Sequence, residues 1–519
     1  MPNSYATWTL AVLIILLLVA IVKIVMHTMR NAEIYKSHKR PGKFDFNLIV
    51  IGAGSAGLVS AYIAATGRAK VALIERNKMG GDCLNTGCVP SKALLRTARL
   101  AAEARHAEKF GIAKVETEID FVQVMKRVHE VIKKVAPHDS VERYNGLGVN
   151  VIKGEAKLVS PWEVTVGTKR ISARSIIIAT GAGPLVPKIE GVDTVDYLTS
   201  DNLWDLTVLP KRLVVLGGGP IGCEMSQAFA RLGSKVTQVE MAPRLMPRED
   251  ADAAAEVQKA FDTDGIKVMT QCKALRVEAG GGGGHLICEQ DGKEISLPFD
   301  RLLLALGRKA NVEGFGLKEL GVELTDRGTV QANKMLQTNF PNILVAGDAV
   351  GPYQFTHVAG HQAWYASINA LIAPFWSFNV DYRVIPWATF TEPEVARVGL
   401  SEDEAKERGI EVEVTRYQLD DLDRAIADSA DNGFVKVLTK PGKDEILGAL
   451  IVGNHSADLL AEFVLAMRHG LGLNRILGTI HTYPTMSEAN KYVAGNWKRA
   501  HAPEQLLRIA EKFFTWRRG

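Results

Sequence analysis

Two stretches of this chain repeat one pattern: an apolar strand, a glycine turn, a helix, and a second strand closed by an acid. In the first, a strand over 46–51 runs into Gly52-Ala-Gly54-Ser-Ala-Gly57, and a strand over 71–74 ends at Glu75. In the second, a strand over 213–216 runs into Gly217-Gly-Gly219-Pro-Ile-Gly222, and a strand over 235–239 ends at Glu240. The first glycine and the acid stand 23 residues apart in both copies. In such a turn the first glycine permits the tight bend and the second lets the backbone approach a pyrophosphate. The third allows close helix–sheet packing, and the helix N-terminus favours the anion. Each acid can accept hydrogen bonds from a ribose hydroxyl. One such motif is weak evidence, but two copies in the same spacing predict two Rossmann-like dinucleotide-binding domains in an α/β fold. An acid at Glu240 also repels a 2′-phosphate, which favours NADH over NADPH, with Arg244 nearby as a counterweight.

The rest of the chain adds a third domain and an N-terminal run. A length of 519 residues accommodates about three domains. From Ile385 onward the pattern changes to strands over 412–417, 433–439 and 446–452 and a helix over 457–469, an α+β domain. The five glycines at 280–284 read as a hairpin tip. Residues 8–26 form a run of nineteen with Lys23 as its one charge, and at ~1.5 Å per residue it is long enough to cross a bilayer core. Arg30, Lys36, Lys39, Arg40 and Lys43 all follow it. The positive-inside rule then predicts a single-pass inner-membrane helix with the catalytic body facing the cytoplasm. Residues 1–43 carry six basic residues against Glu33, which leaves the remaining chain at about −1 of a net +4. No basic footprint for nucleic acid remains outside that segment. Near the C-terminus Leu506, Leu507, Ala510, Phe513 and Phe514 recur at helical spacing, with Trp516, Arg517 and Arg518 behind them. Packing against its own domain is the expected role of this face, with a membrane surface as the alternative.

Five cysteines do not make a secreted disulfide framework. Two of them lie in Gly80-Gly81-Asp82-Cys83-Leu-Asn-Thr-Gly87-Cys88-Val-Pro90-Ser-Lys92, where two thiols five residues apart can close a small disulfide at the start of a helix. The helix dipole and the cation of Lys92 would favour a thiolate there. The spacing lacks the second ligand pair of a zinc site, so no metal site is expected.

With these motifs the chain from about residue 44 onward resembles the pyridine nucleotide-disulfide oxidoreductases, which include glutathione reductase, dihydrolipoamide dehydrogenase and mercuric reductase. The resemblance implies that the first glycine motif, with Ser55, Ala56, Gly81 and Asp82, binds FAD and that the second binds NAD(P)H. It implies that Cys83 is the thiol that meets substrate, that Cys88 contacts the flavin, and that Lys92 lies near flavin N5 with Glu224 as its partner. Thr180 and Gly181, Gly307 with Arg308 and Asn311, and Gly347, Asp348 and Ala349 match further cofactor-contacting stretches. The domains implied are an anchor and linker over 1–43, an FAD domain over 44–190 and 325–384, an NAD(P) domain over 191–324, and a dimerisation domain over 385–519. A homodimer follows from the last of these.

The C-terminal motif departs from the family pattern. Many members place a histidine before a proline there, oriented by a glutamate. This chain reads His481-Thr482-Tyr483-Pro484-Thr485-Met486-Ser487-Glu488, keeping Glu488 and substituting Tyr483. A phenol of pKa ~10 is a poor base near neutral pH. His481 is expected to be structural. Mercuric reductase also carries a tyrosine here, and Gln354-Phe-Thr-His357 is closer to that branch. Yet no cysteine follows Cys288, so the second metal-accepting pair of that enzyme is missing. The acceptor expected is a disulfide or soft metal ion. The alternative is a membrane NADH dehydrogenase passing electrons from flavin to a quinone.

Overall fold

The computed structural model describes residues 33–113 and 115–519. Among these, no helix is long and apolar enough to cross a membrane. The run at 8–26, expected to do so, lies outside the described residues.

The described residues form two compact units, one over 33–90, 127–185 and 308–381 and the other over 91–126, 186–307 and 382–519. The first unit is built on a sheet whose centre is parallel: Val149–Lys153, Val71–Glu75, Phe46–Ile51 and Lys169–Ile178 in that order, with Ile343–Val345 also paired to the last. Leu48, Ile49 and Val50 are completely buried, as expected of a parallel strand covered on both faces. Glu163–Val166 and Ala156–Ser160 extend the sheet antiparallel.

The second unit repeats the arrangement. Lys267–Met269, Lys235–Val239, Arg212–Leu216, Arg301–Leu304 and Tyr197–Leu198 make an all-parallel sheet. The glycine run closes the hairpin between Lys273–Gly280 and Gly283–Gln290. A separate antiparallel sheet runs Pro386–Thr389, Glu394–Gly399, Ile446–Gly453, Phe434–Thr439, Glu413–Gln418, with the helix Ser456–Arg468 against it.

The region expected as a separate domain over 385–519 thus groups with the second nucleotide-binding sheet. Buried ion pairs join the two within this unit. The Lys436 ammonium, with no exposed surface, lies 2.6 Å from Asp250, 3.0 Å from Asp252 and 2.7 Å from Glu402. Burial pulls its pKa down, but the three carboxylates more than offset this and hold it above the ordinary lysine value.

One expectation fails. The C-terminal helix forms over Glu504–Arg518, but none of its residues is buried. Helical periodicity identified an apolar face without identifying what covers it.

Candidate active site

In both units the same local geometry builds the glycine turn. Gly52 and Gly217 adopt φ of +100° and +115°, which side chains rarely tolerate. A Cβ at Gly57 or Gly222 would collide with the carbonyl oxygen of Gly52 or Gly217. The helices Ser55–Thr66 and Pro220–Leu232 start directly after these turns. The acids fold back onto the loops. Glu75 accepts from the Ala53 and Asn77 amides at 2.7 Å each. Glu240 accepts from Gly218 at 2.5 Å and Ala242 at 2.6 Å. Around the middle glycines the space is open: a Cβ at Gly219 would meet nothing within 4 Å, and one at Gly54 only the Gly81 Cα at 3.8 Å. That is a backbone cradle with room for a pyrophosphate in each unit, so the residues fit two dinucleotides.

Beside the first cradle, Ala56 abuts Gly347. Asp348 belongs to the short turn Gly347–Ala349, and Ala349 is fully buried behind it. The Arg308 guanidinium joins Asp348, at 3.3 Å, to Asp82 and also donates to the Ala182 carbonyl at 2.7 Å. Burial pushes the Asp348 carboxyl above its ordinary value, and Arg308 opposes this only in part. Thr180 donates to the Asn311 carbonyl at 2.7 Å, and the Asn311 side chain returns a bond to the Thr180 carbonyl at 3.0 Å. The Gly181 carbonyl accepts from the Asn311 amide at 2.9 Å. Gly307, in the second unit, has φ +114° and open space on its Cβ side.

Cys83 lies in the short helix Gly81–Asn85, and Cys88 opens the helix Cys88–Arg105 that carries Lys92 one turn on. Asn85 fixes the first of these by donating to the Met79 and Gly81 carbonyls at 2.9 and 2.8 Å. A Cβ at Gly87 would sit 2.9 Å from the Asp82 carbonyl oxygen, so this residue allows the chain to fold back between the cysteines. The two side chains are hydrogen-bonded to each other. That shared bond and burial drive the Cys83 pKa well above that of an ordinary thiol, against opposing bonds from Thr356 and Ser55. The Cys88 sulfur lies 3.4 Å from the Thr356 hydroxyl. The sequence had marked this segment without singling out Thr356, and Ser55, expected to touch only cofactor, also reaches Cys83.

In the second unit the Lys92 ammonium lies 2.9 Å from Glu224 and 4.3 Å over the Phe390 ring. The second Glu224 oxygen accepts from the Phe390 amide at 3.0 Å. The C-terminal motif is arranged differently from its expected pairing. The exposed Tyr483 hydroxyl donates to Asp423 at 3.0 Å rather than to Glu488, and Asp423 raises its pKa above the ordinary tyrosine value. Glu488 is buried and accepts from the Thr485 amide at 3.3 Å. His481 is held between the Thr479 carbonyl at 3.1 Å and Glu462 at 3.0 Å. Sequence alone gave no sign of Asp423, which is 60 residues from Tyr483. Among the described residues, no group of three or more His, Cys, Asp or Glu side chains is placed to hold a metal ion.

A family model described as pyridine nucleotide-disulphide oxidoreductase matches residues 46–363, and that of its dimerisation domain matches 385–494. The chain is 35% identical over 450 residues to a mercuric reductase of Bacillus cereus, covering 87% of this chain and 71% of that protein. It is equally 35% identical over 449 residues to a dihydrolipoyl dehydrogenase of Chlamydia pneumoniae, covering 86% and 95%. Among solved structures, the HOCl-induced flavoprotein disulfide reductase RclA from Escherichia coli superposes with a TM-score of 0.77 at 28% identity, covering 86% of this chain and 99% of that one. The same reductase has been solved as a Cu(II) complex. LpdA from Mycobacterium tuberculosis superposes with a TM-score of 0.79 at 26% identity, covering 86% and 99%. The chain therefore belongs to the pyridine nucleotide-disulphide oxidoreductase family, as an FAD-dependent enzyme that uses NAD(P)H.

Proposed function

We propose that this enzyme moves two electrons from NADH to a thiophilic acceptor at Cys83 and Cys88, and that a soft metal ion is preferred over a small disulfide. The observation that carries this reading is Tyr483, whose phenol donates to Asp423 and holds its proton more tightly than a free tyrosine. FAD, when bound, supplies the two-electron store between the nicotinamide and the cysteines. Opening the Cys83–Cys88 bond consumes two electrons and one proton, leaving a thiol at Cys83 and a thiolate at Cys88. Attack of Cys83 on a small disulfide first requires a base to remove that proton, and such a phenol is poorly suited to the task. A soft cation needs no base. Both sulfurs ligate it, the Cys83 proton passes to water as the sulfur–metal bond forms, and the pair's two electrons then leave as the Cys83–Cys88 bond re-forms, reducing one Hg(II) to Hg(0) or two Cu(II) to Cu(I). The similar RclA has been solved with Cu(II) bound, so a relative of this fold takes up such an ion, although a cysteine-to-serine mutant of it does so too.

With purified full-length enzyme and NADH, Hg(II) and Cu(II) are expected to drive turnover at least about tenfold faster than glutathione disulfide or lipoamide, a difference of about 1.4 kcal/mol. Equal or faster turnover of either disulfide overturns the preference. The relatives are named for disulfide and mercuric-ion chemistry, which leaves the quinone alternative without support.

Preference for NADH rests on more than the charge of Glu240. Arg244, the one cation noted nearby, donates to the Glu249 carbonyl at 2.9 Å and to Asp403 at 2.7 Å. Both bonds come from Nη2 and turn the guanidinium toward Asp403. NADH should exceed NADPH in kcat/KM by at least about tenfold, and Asp403→Ala should narrow the gap by releasing Arg244. A wild-type preference for NADPH would refute the assignment.

The dimerisation-domain match supports a homodimer. The apolar run at 8–26 and the basic residues after it support a single-pass tether with the body on the cytoplasmic side.

A further inference from the structure

We propose that the C-terminal helix Glu504–Arg518 lies in the surface of an anionic lipid bilayer. Its apolar side chains, Leu506, Leu507, Ile509, Phe513, Phe514 and Trp516, are all exposed, Trp516 by 76% and Ile509 by 62%. At 100° per residue they gather with Ala510 on one half of the helix, shared in the last turn by Arg517, whose guanidinium lies over the Phe513 ring. Gln505, Arg508, Glu511, Lys512 and Thr515 occupy the other half. A helix of 15 residues with no buried side chain gains almost nothing from tertiary packing, and isolated helices of ~12–15 residues are marginal in water. This one therefore needs a surface to cover it.

Composition selects the occupant. Arg508, Lys512, Arg517 and Arg518 outnumber Glu504 and Glu511, giving the helix a formal +2 that complements anionic headgroups. Two phenylalanines and a tryptophan beside the terminal arginines are interfacial chemistry, with amphipathic rings at headgroup depth. The family's dimerisation-domain match ends at residue 494, before the helix begins, so the shared dimer does not account for it.

The test uses the full-length enzyme, reconstituted into phosphatidylcholine vesicles with and without phosphatidylglycerol. Hydrogen exchange over 504–518 is compared with that of the lipid-free enzyme. Amides of the helix are expected to exchange at least about tenfold more slowly on the anionic vesicles than on neutral ones. Phe513→Glu is expected to abolish the difference while leaving NADH-dependent turnover unchanged. Equal protection without lipid would mean that protein, such as a second copy of the chain, covers the helix, and would overturn the proposal. Equal exposure with and without anionic lipid would overturn it too. Release of the enzyme from membranes by alkaline carbonate would refute the tether at 8–26 without affecting the helix result, so the two readings can fail separately.

Discussion

Cys83→Ser will abolish NADH-driven reduction of a thiophilic acceptor, by at least about a thousandfold, while NADH still bleaches the bound flavin. A serine oxygen neither closes a disulfide with Cys88 nor ligates a soft cation, whereas the nucleotide-binding loops at Gly52–Gly57 and Gly217–Gly222 contain neither cysteine. The two halves of the reaction are therefore separable. Steady-state NADH oxidation with Hg(II) or Cu(II) reads the second half, and anaerobic flavin absorbance reads the first. Turnover surviving within about tenfold of wild type would mean that electrons leave directly from the flavin, and would sink the thiol mechanism. The Cys83 thiol, with its pKa raised by its bond to Cys88 and by burial, also sets the pH dependence. Below that raised value the proton stays on, so turnover of a small disulfide should climb as pH rises through the alkaline range. Turnover of a soft cation, which expels the proton on binding, should be flatter.

The parts of this site that were legible in the sequence are those that local sterics enforce. Gly57 and Gly222 sit where a Cβ would strike the preceding turn, and that constraint is written within six residues. The close approach of Cys83 and Cys88 around Gly87 is likewise local. Lys92 and Glu224 are 132 residues apart, and only the family resemblance joined them beforehand. Thr356 at Cys88, Asp423 at Tyr483 and Asp403 at Arg244 had no such guide, because each partner is brought up by tertiary folding and reads in the sequence as an ordinary surface polar. The same limit applied to the C-terminal helix. Spacing fixes which side chains share a face, but whether that face is buried depends on the rest of the fold.

Buried charge was the least legible feature, because Arg397, Glu249 and Glu404 have the composition of a solvated surface. Arg397 is 1% exposed, with its guanidinium 2.9 Å from Glu249 and 3.0 Å from Glu404. It also lies 4.3 Å over the Trp387 ring, and Trp387 donates its indole N–H to Glu249 at 2.7 Å. Replacing the arginine by methionine keeps much of the stem's packing but strands Glu249. Loss of one partner from a buried pair costs about 3–5 kcal/mol, so Arg397→Met should melt several degrees below wild type by calorimetry. Burial already pushes the Glu249 carboxyl above its ordinary value with Arg397 opposing, and without that opposition it rises further. A carboxyl raised in the folded state binds more protons there than when unfolded, so its penalty grows with pH. The deficit of the variant should therefore be smallest in mild acid and largest above neutrality. Adding Glu249→Gln, which removes the stranded charge, should recover part of the loss and flatten that pH dependence. An unchanged melting temperature in Arg397→Met would show that the pair adds nothing to the packing of the second unit.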